Sequence, residues 1–332
     1  MNIISVDDNV GLPKYKQIVL SVENAIASGN LKKGDILPSI NSVKNKFSLS
    51  RDTVLMAFNE LKVRGIIESV VGKGYYVKSE NIEVTQKIFL LFDELNAFKE
   101  SLYTSFLNSL NDNIQVDIFF HHFSYDMFSK LINDNIGSYN YYVIMPANLS
   151  QTSKIIEKLP PEKVYILDQM HDDLIQYPAI YQNFEDDIYK SLKKATVLLN
   201  KYKKIVLLFP EKKQPQGMLL GFQKFRKKTS FQHEVINSLE GRVLEKGEAY
   251  LVLDDQNLIV LIKKIKDQKL TLGKDIGIIS YNETLLKEIV EGGITTISTD
   301  FNQMGKRLAQ MVMNKEKNHI ENSNDLIIRK SL

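Results

Sequence analysis

Residues 37–55 read LPSINSVKNKFSLSRDTVL, two short segments with helical spacing separated by Ser-Leu-Ser. In the first segment, Ile40 and Phe47 belong to one apolar face. In the second, the hydroxyl of Ser50 can accept hydrogen bonds from the free backbone N–H groups of a helix that begins at Arg51. The stretch therefore predicts two capped helices joined by a tight turn, with an arginine exposed at the start of the second.

The flanking sequence extends this pattern on both sides. Apolar positions between residues 15 and 26 follow a 3.6-residue period and stop at Ser28-Gly29, which predicts an earlier helix. The third helix ends at Arg64-Gly65, and two alternating segments then surround Gly72-Lys73-Gly74. Such alternation around glycines is typical of a hairpin. Three helices followed by a glycine-tipped hairpin form a winged helix-turn-helix, an α+β fold.

Composition and charge limit the classes of protein that fit. The chain has 332 residues, no cysteine and a net charge of +3. Without cysteine, disulfides, thiolate metal sites and a cysteine nucleophile are excluded. No apolar run is long enough for a membrane span and no secretory leader is present, so we expect a cytoplasmic protein. Residues 10–78 hold 11 basic and 5 acidic side chains, so this segment alone carries +6. A polyanion partner or a solvated lysine-rich face explains that excess equally well.

Beyond residue 80, apolar strands alternate with helical segments in two successive groups. Strands bounded by helices predict parallel sheets covered on both faces. The expected strands are KIFLLF, VDIFFHH, YYVIMPA, VYILDQ, KIVLLF, AYLVLD, GIIS and LIIRK. We expect residues 1–78 to form the winged helix, residues 79–86 a connector, and residues 87–332 an α/β effector and dimerisation domain of two lobes with a cleft between them.

The winged helix places specific side chains where they could contact DNA. A helix fits the major groove, and Arg51 can donate two hydrogen bonds to a guanine edge. Short hydroxyls at helix starts suit phosphate oxygens, and a glycine-rich tip can approach the sugar-phosphate backbone. Taken singly, a hydroxyl at a helix start is more simply explained as a helix cap, and a Gly-Lys-Gly tip as a turn. The predicted DNA-binding residues are Ser39, Asn41, Ser50, Arg51, Thr53, Gly72, Lys73 and Gly74.

Residues 11–78 resemble the GntR type of winged helix. The shared features are Leu-Pro-Ser before the second helix, Ser-Arg-x-Thr-Val at the start of the third, and a Gly-x-Gly wing. The resemblance implies that Arg51 reads bases. Asn41 and Leu55 stand where relatives often have arginines, which alters the expected operator sequence and leaves DNA binding itself intact.

Residues 86–332 resemble the LacI-type effector domain, a periplasmic-binding-protein-like fold of type I. The resemblance is carried by YQNFEDD at 181–187, GFQKF at 221–225, LGKDIGIISYNE at 272–283 and GITTISTDFNQMGKRLAQ at 293–310. It implies a small effector in the cleft, bound at strand ends, and a sugar is the leading class. The candidate effector-binding residues are Asp93, Glu94, Gln182, Asn183, Met218, Asp255 and Asn282.

The sequence departs from that pattern at three of these positions. Gln182 and Asn282 are amides where aspartates are common, and Met218 replaces a sugar-gripping arginine. We therefore expect a pocket with less charge than is usual in the family.

No catalytic or metal site is indicated. The adjacent His121 and His122 would point to opposite sides of a strand, and no acid lies at metal-ligand spacing. A phosphate-binding loop is also absent, since Gly217 to Gly221 lacks a following Lys-Ser/Thr. We expect no enzyme activity, no cofactor and no metal.

These inferences predict a homodimeric transcription regulator that binds a double-stranded operator and represses sugar-utilisation genes. A monosaccharide or its derivative would release the repression. The alternative is a soluble sugar-binding protein, or an enzyme, with an accessory basic module.

Overall fold

The computed structural model describes residues 3–7, 11–210 and 214–332. The N-terminal unit has the predicted order of elements. They are α1 (Lys14–Ala27), α2 (Ile40–Phe47), α3 (Arg51–Val63), β1 (Ile67–Val70) and β2 (Gly74–Val77). β1 and β2 pair antiparallel. The predicted winged helix-turn-helix is confirmed.

Local sequence explains where α2 and α3 begin and what they bury. The Oγ atoms of Ser39 and Ser50 each accept a hydrogen bond, at 3.1 Å, from the backbone N–H three residues later. On α3, Val54, Phe58 and Leu61 are fully buried. They pack in one core with the apolar face of α1, because side chains three and four residues apart share a helix face.

The first lobe of the C-terminal part contains alternating strands and helices. They are β3 (Gln86–Phe92), α4 (Ala97–Leu107), β4 (Ile114–Phe120), α5 (Tyr125–Asp134), β5 (Tyr141–Ile144), α6 (Ser153–Ile156), β6 (Val164–Asp168) and β7 (Ala179–Tyr181). The expected strand through His121 and His122 stops at Phe120, because His122 and Phe123 have positive φ. Gln86, expected in the connector, is already the first residue of β3.

The second lobe follows the same alternation. Its elements are α7 (Phe184–Leu199), β8 (Lys204–Leu208), α8 (Gln216–Arg226), β9 (Gln232–Ile236), β10 (Glu248–Val252), α9 (Asp255–Asp267), β11 (Ile276–Tyr281), α10 (Leu285–Ile289) and β12 (Thr295–Thr299). Three further elements complete the chain: α11 (Phe301–Asn314), β13 (His319–Glu321) and β14 (Asn324–Ile327).

Two six-stranded sheets result, in the orders β13-β7-β6-β5-β3-β4 and β14-β12-β11-β10-β8-β9. Their pairings are parallel except for that of β12 with β14. α11 follows the second lobe in sequence but packs in the core of the first. In the described residues the chain thus crosses between lobes after β7, after β12 and after β13. The predicted two-lobed α/β fold is confirmed.

No helix in the described ranges combines the length and the apolar character needed to cross a membrane. The same ranges contain no group of three or more His, Asp or Glu side chains arranged to hold a metal ion.

Candidate functional site: a DNA-facing helix and an interlobe cleft

The start of α3 presents an arginine to solvent. Ser50 is in an extended conformation, and its Oγ lies 2.8 Å from Thr53 Oγ1. Arg51 is the first residue of the helix and is exposed. Its side chain forms no hydrogen bond or ion pair with the described part of the chain. The guanidinium is therefore held near a helix N-terminus with all its donors available, the arrangement that direct base reading requires.

The hairpin that follows forms an exposed wing. Val70 pairs with Gly74, and the three residues between them make the tip. Gly72 and Gly74 have φ of +73° and +118°, values that favour glycine. Lys73 is exposed at the tip. The wing thus offers one cation between two glycines, next to the exposed side chain of Val71.

The other two predicted DNA-facing residues lie at the start of α2. Ser39 and Asn41 are both exposed. The Ser39 hydroxyl is already the cap of α2, so one of its acceptor lone pairs is in use. The structure places all eight predicted residues on the surface of the winged helix.

A cleft of about 530 Å³ lies between the two lobes, where strands β3, β6, β10 and β11 end. Crevices at the carboxyl ends of strands are the usual ligand sites of open α/β sheets. The residues that line it are Asp93, Glu94, Asn96, Phe98, Lys99, Phe123, Asp168, Gln169, Gln182, Phe184, Pro210, Gln214, Pro215, Met218, Leu253, Asp254, Asp255, Gln256, Asn257, Tyr281 and Asn282.

Buried polar groups form one wall of the cleft. Asp93 is 4% exposed and makes an ion pair with Lys99, which is 6% exposed. Asp168, at the end of β6, has a positive φ of 73° and accepts a hydrogen bond from Gln182 Nε2 at 2.5 Å. Burial raises the pKa of Asp168 to about 6, although Lys99 acts in the opposite direction. Near neutral pH Asp168 is therefore mostly ionised, and within the described ranges the neighbouring Lys99 makes its ion pair with Asp93 instead.

Gln182 connects the two lobes through hydrogen bonds. Its Nε2 donates to Asp168 of the first lobe. Its Oε1 accepts from Thr299 Oγ1 at 2.6 Å and from Tyr281 OH at 3.2 Å, both in the second lobe. Gln182 is only 7% exposed and lies where the chain first crosses between lobes. Its amide serves both the cleft wall and the interlobe connection, because it can donate and accept at once.

The second lobe supplies carboxylates that are already engaged. Asp254 caps α9 by accepting a hydrogen bond from Asn257 N at 2.8 Å. Asp255 makes an ion pair with the buried Lys287 at 2.7 Å. Asn282 has a positive φ of 60°, and its Oδ1 has no hydrogen-bond partner in the described ranges. This orphaned acceptor lies at the cleft, where a ligand donor could satisfy it.

Apolar and aromatic groups complete the lining. Phe98, Phe184 and Tyr281 contribute rings, and Met218 is 3% exposed. Pockets that combine apolar walls with a few directed polar groups are typical of small-molecule sites. Five carboxylates and one lysine line the cleft, so the expectation of less charge than is usual in the family stays a prediction.

The cleft contains six of the seven predicted effector residues and leaves out one. Asn183 is absent from its lining because its side chain caps α7 and donates to Glu321 Oε2 at 3.0 Å. Sequence reasoning did not single out Asp168, Lys99 or Tyr281. Asp168 could have been found, because it ends the predicted strand VYILDQ and so lies at the same sheet edge.

Comparison with known proteins agrees with this architecture. Residues 14–77 match the bacterial regulatory proteins of the gntR family. The repressor YtrA of Bacillus subtilis is 33% identical over 99 residues, which cover 30% of this chain and 72% of YtrA. The chain belongs to the GntR family. This GntR-family protein also matches the periplasmic binding protein-like domain over residues 197–332.

Two further relatives are repressors of sugar-related systems. The arabinose metabolism repressor of Geobacillus stearothermophilus is 23% identical over 97% of this chain and 96% of its own length. The mannosyl-D-glycerate system repressor MngR of Escherichia coli is 39% identical over 82 residues. That match covers 25% of this chain and only 34% of MngR.

Solved structures of LacI-type regulators share the fold of the effector domain. A regulator from Enterococcus faecium with bound ribose is 16% identical and superposes with a TM-score of 0.59, covering 74% of this chain and 98% of that one. The dimeric Lac repressor gives 0.61 at 16% identity, with 74% and 98% covered. The GntR-family protein is a DNA-binding regulator whose larger domain has the periplasmic-binding-protein-like fold that is also seen in LacI-type regulators.

Proposed function

We propose that this GntR-family protein represses sugar-utilisation genes and is released from its operator by a monosaccharide or a derivative of one. The proposal is carried by Arg51, which is exposed at the capped start of α3 and has no partner among the described residues, in the same chain as an interlobe cleft with polar and apolar walls. The arabinose repressor, which is similar over nearly the full chain, supports a sugar as the effector.

In this proposal α3 enters the major groove. Arg51 donates two hydrogen bonds to a guanine, and Ser50 and Thr53 contact phosphate. Ser39 and Asn41 make further contacts from α2. Residues 72–74 lie against the neighbouring backbone, where Lys73 adds charge. The cytoplasm, where the chromosome lies, is the compartment this role requires.

The cleft binds the effector between its two walls. Asp93, Glu94 and Asp168 accept hydrogen bonds from hydroxyls on the first-lobe side, and Asp255 and Asn282 do so on the other. Met218 packs against an apolar ring face. Asn183 contributes only as the cap that fixes the start of α7. A sugar ring offers both hydroxyl donors and apolar faces, which matches this lining.

Effector binding shifts the population of lobe arrangements. A ligand that contacts both walls stabilises the closed arrangement, since only there are all its hydrogen bonds made. In a homodimer this closure changes the spacing of the two winged helices. Half-sites lie about 34 Å or a multiple apart, so a small change in spacing weakens operator binding.

Binding to DNA fragments from the region upstream of the protein's own gene tests the proposal. We expect Arg51→Ala to weaken specific binding by about 10- to 100-fold, because a bidentate arginine–guanine pair contributes about 1–3 kcal/mol. Arg226→Ala is the matched control, since it removes an exposed arginine from α8 of the effector domain. Fluorescence anisotropy at several salt concentrations gives both affinity and salt slope. Equal affinities for both variants and the wild type would refute the role of Arg51.

A further inference from the structure

Two apolar side chains follow Arg51 on α3 without joining the core of the winged helix. Met56 is 52% exposed, and Leu55 is partly exposed. Among the described residues, neither belongs to the apolar core that holds Val54 and Phe58, and neither is packed against it. Burial in the folded domain therefore does not account for either side chain.

The helical repeat places both side chains on the exposed side of α3. Leu55 follows Arg51 by four residues, so these two side chains lie one turn apart on the same face. Met56 comes next and, with the exposed Asn59, extends that face away from the buried residues. α3 thus presents a guanidinium and then, about 6 Å further along its axis, two apolar side chains.

The base edges of DNA offer one apolar group that such side chains can contact. In the major groove this group is the C5-methyl of thymine, whereas the other groups that distinguish the bases are hydrogen-bond donors and acceptors. An apolar side chain that covers a donor or an acceptor displaces water without replacing the hydrogen bond, which costs free energy. Leu55 and Met56 therefore favour thymine opposite them and disfavour a G·C pair.

We infer that Leu55 and Met56 contact thymine methyl groups beside the guanine that Arg51 contacts, an inference that rests on the proposed entry of α3 into the major groove. Residues 10–78 hold 11 basic and 5 acidic side chains, so a DNA groove fits this face better than an apolar protein surface does. Base pairs stack about 3.4 Å apart, so about 6 Å corresponds to about two steps. The operator half-site should thus carry thymine, on either strand, within about three base pairs of that guanine.

Replacement of single thymines by uracil in the operator tests the inference, because uracil lacks only the C5-methyl group. The probe is the shortest DNA fragment from the region upstream of the protein's own gene that the wild type binds. The guanine that Arg51 contacts is the one whose replacement by 7-deazaguanine weakens binding by the wild type but not by Arg51→Ala. Fluorescence anisotropy at low salt keeps the weaker variants measurable.

We expect uracil within about three base pairs of that guanine to weaken binding by the wild type about four-fold, since one methyl group removed from water contributes about 0.8 kcal/mol. This loss should disappear in Leu55→Ala or in Met56→Ala, according to which side chain contacts the thymine. The matched control is Leu20→Ala, which shortens a 45% exposed leucine on α1 and should keep the full uracil effect. Unchanged melting temperatures show that the three variants are folded.

Two outcomes overturn the inference. One is wild-type affinity for every uracil-substituted fragment, and the other is a uracil effect that persists in both Leu55→Ala and Met56→Ala. In either case the wild type still binds the fragment, so the proposed function stands. A wild type that binds no fragment refutes the proposed function and the inference with it, so the two failures are distinguishable.

Discussion

Asp187 is a buried carboxyl near the start of α7. It is 6% exposed, and its Oδ2 has no hydrogen-bond partner among the described residues. Burial raises the pKa of Asp187 to about 7, and the nearby Glu321 and Asp186 act in the same direction while Lys190 opposes them. Tyr281, which also faces it, adds no charge near neutral pH. Between about pH 4 and pH 7, Asp187 is thus protonated in the folded protein and ionised in the unfolded chain.

The sign of the pH effect follows from linkage. An unfolded aspartate titrates near pH 4, so the contribution of Asp187 to stability falls as pH rises from about 4 to about 7 and is then constant. Asparagine does not ionise, so Asp187→Asn abolishes this fall in stability with rising pH. We expect it to raise the free energy of unfolding at pH 8 by an amount on the order of 2 kcal/mol, with a smaller gain at pH 5. Thermal melts of both proteins between pH 5 and 8 measure the difference.

The matched control is Asp186→Asn. Lys224 and Lys190 hold the pKa of the Asp186 carboxyl below its usual range through hydrogen bonds. Its removal should give no stabilisation at pH 8. A melting-temperature difference for Asp187→Asn that is independent of pH, or negative at pH 8, would contradict the account.

At the scale of elements, the connector between the domains is fastened to the winged helix. Arg64, the C-cap of α3, donates from Nε to Val84 O at 2.8 Å and from Nη2 to Ile82 O at 3.0 Å. It also pairs with Glu23 of α1 at 2.5 Å. Ile82 packs against the core of the winged helix. The connector is a docked segment, so movement of the first lobe can reach α3 through it.

We expect Arg64→Ala to free the connector. A glutamate-specific protease should then cleave after Glu80 or Glu83 on the order of ten-fold faster. The connector can detach from the winged helix without breaking the hydrogen bonds that the charged Arg64 side chain donates to it. Lys16→Ala removes a more exposed ion pair, with Glu60, and serves as the control. Equal cleavage rates for Arg64→Ala and the wild type would show that the connector is held by other contacts.

Periodic helices and strongly apolar strands were predictable from sequence, whereas β7, β9, β12 and β13 were not. α3 and β3 follow from apolar spacing and caps that are local to the chain. These four strands have three to five residues each, and each is placed by pairing with another strand of the sheet, which the local sequence does not record. The return of α11 to the first lobe depends on Gly305, where a Cβ would lie 2.4 Å from Leu102 O of α4. Such close helix contact is a long-range property that a local pattern does not carry.

The cleft residues were predictable from sequence where they directly follow a predicted strand. Strand ends identified Asp93, Asp255 and Asn282 as cleft residues. Asn183 also follows a strand, but capping α7 directs its side chain elsewhere. Which of several polar groups at a strand end faces the cleft depends on competing local hydrogen bonds, and those become visible only in the structure.

At the scale of the whole molecule, the chain crosses between the lobes at three places, and hydrogen bonds of Gln182, of Asn183 with Glu321, and of Asn148 Nδ2 with Gln214 O at 2.8 Å also join them. Rotation of one lobe against the other about the crossings must rearrange these bonds. Effector contacts on both walls of the cleft would bias that rotation, and the docked connector would carry it to the winged helix. Asp168 both lines the cleft and contacts Gln182, so it links the effector site to the hydrogen bonds between the lobes.

The most direct measurement is the anisotropy of a labelled operator fragment, with the wild type bound, during titration with a panel of monosaccharides and their phosphates. We predict that one of these compounds weakens operator binding at least about ten-fold, and that Asp168→Asn raises the concentration required by about 10- to 100-fold while leaving operator affinity without effector unchanged. Asp186→Asn, which lies outside the cleft lining, should respond as the wild type does. Operator binding insensitive to every compound, or an Asp168→Asn response identical to that of the wild type, would contradict the account.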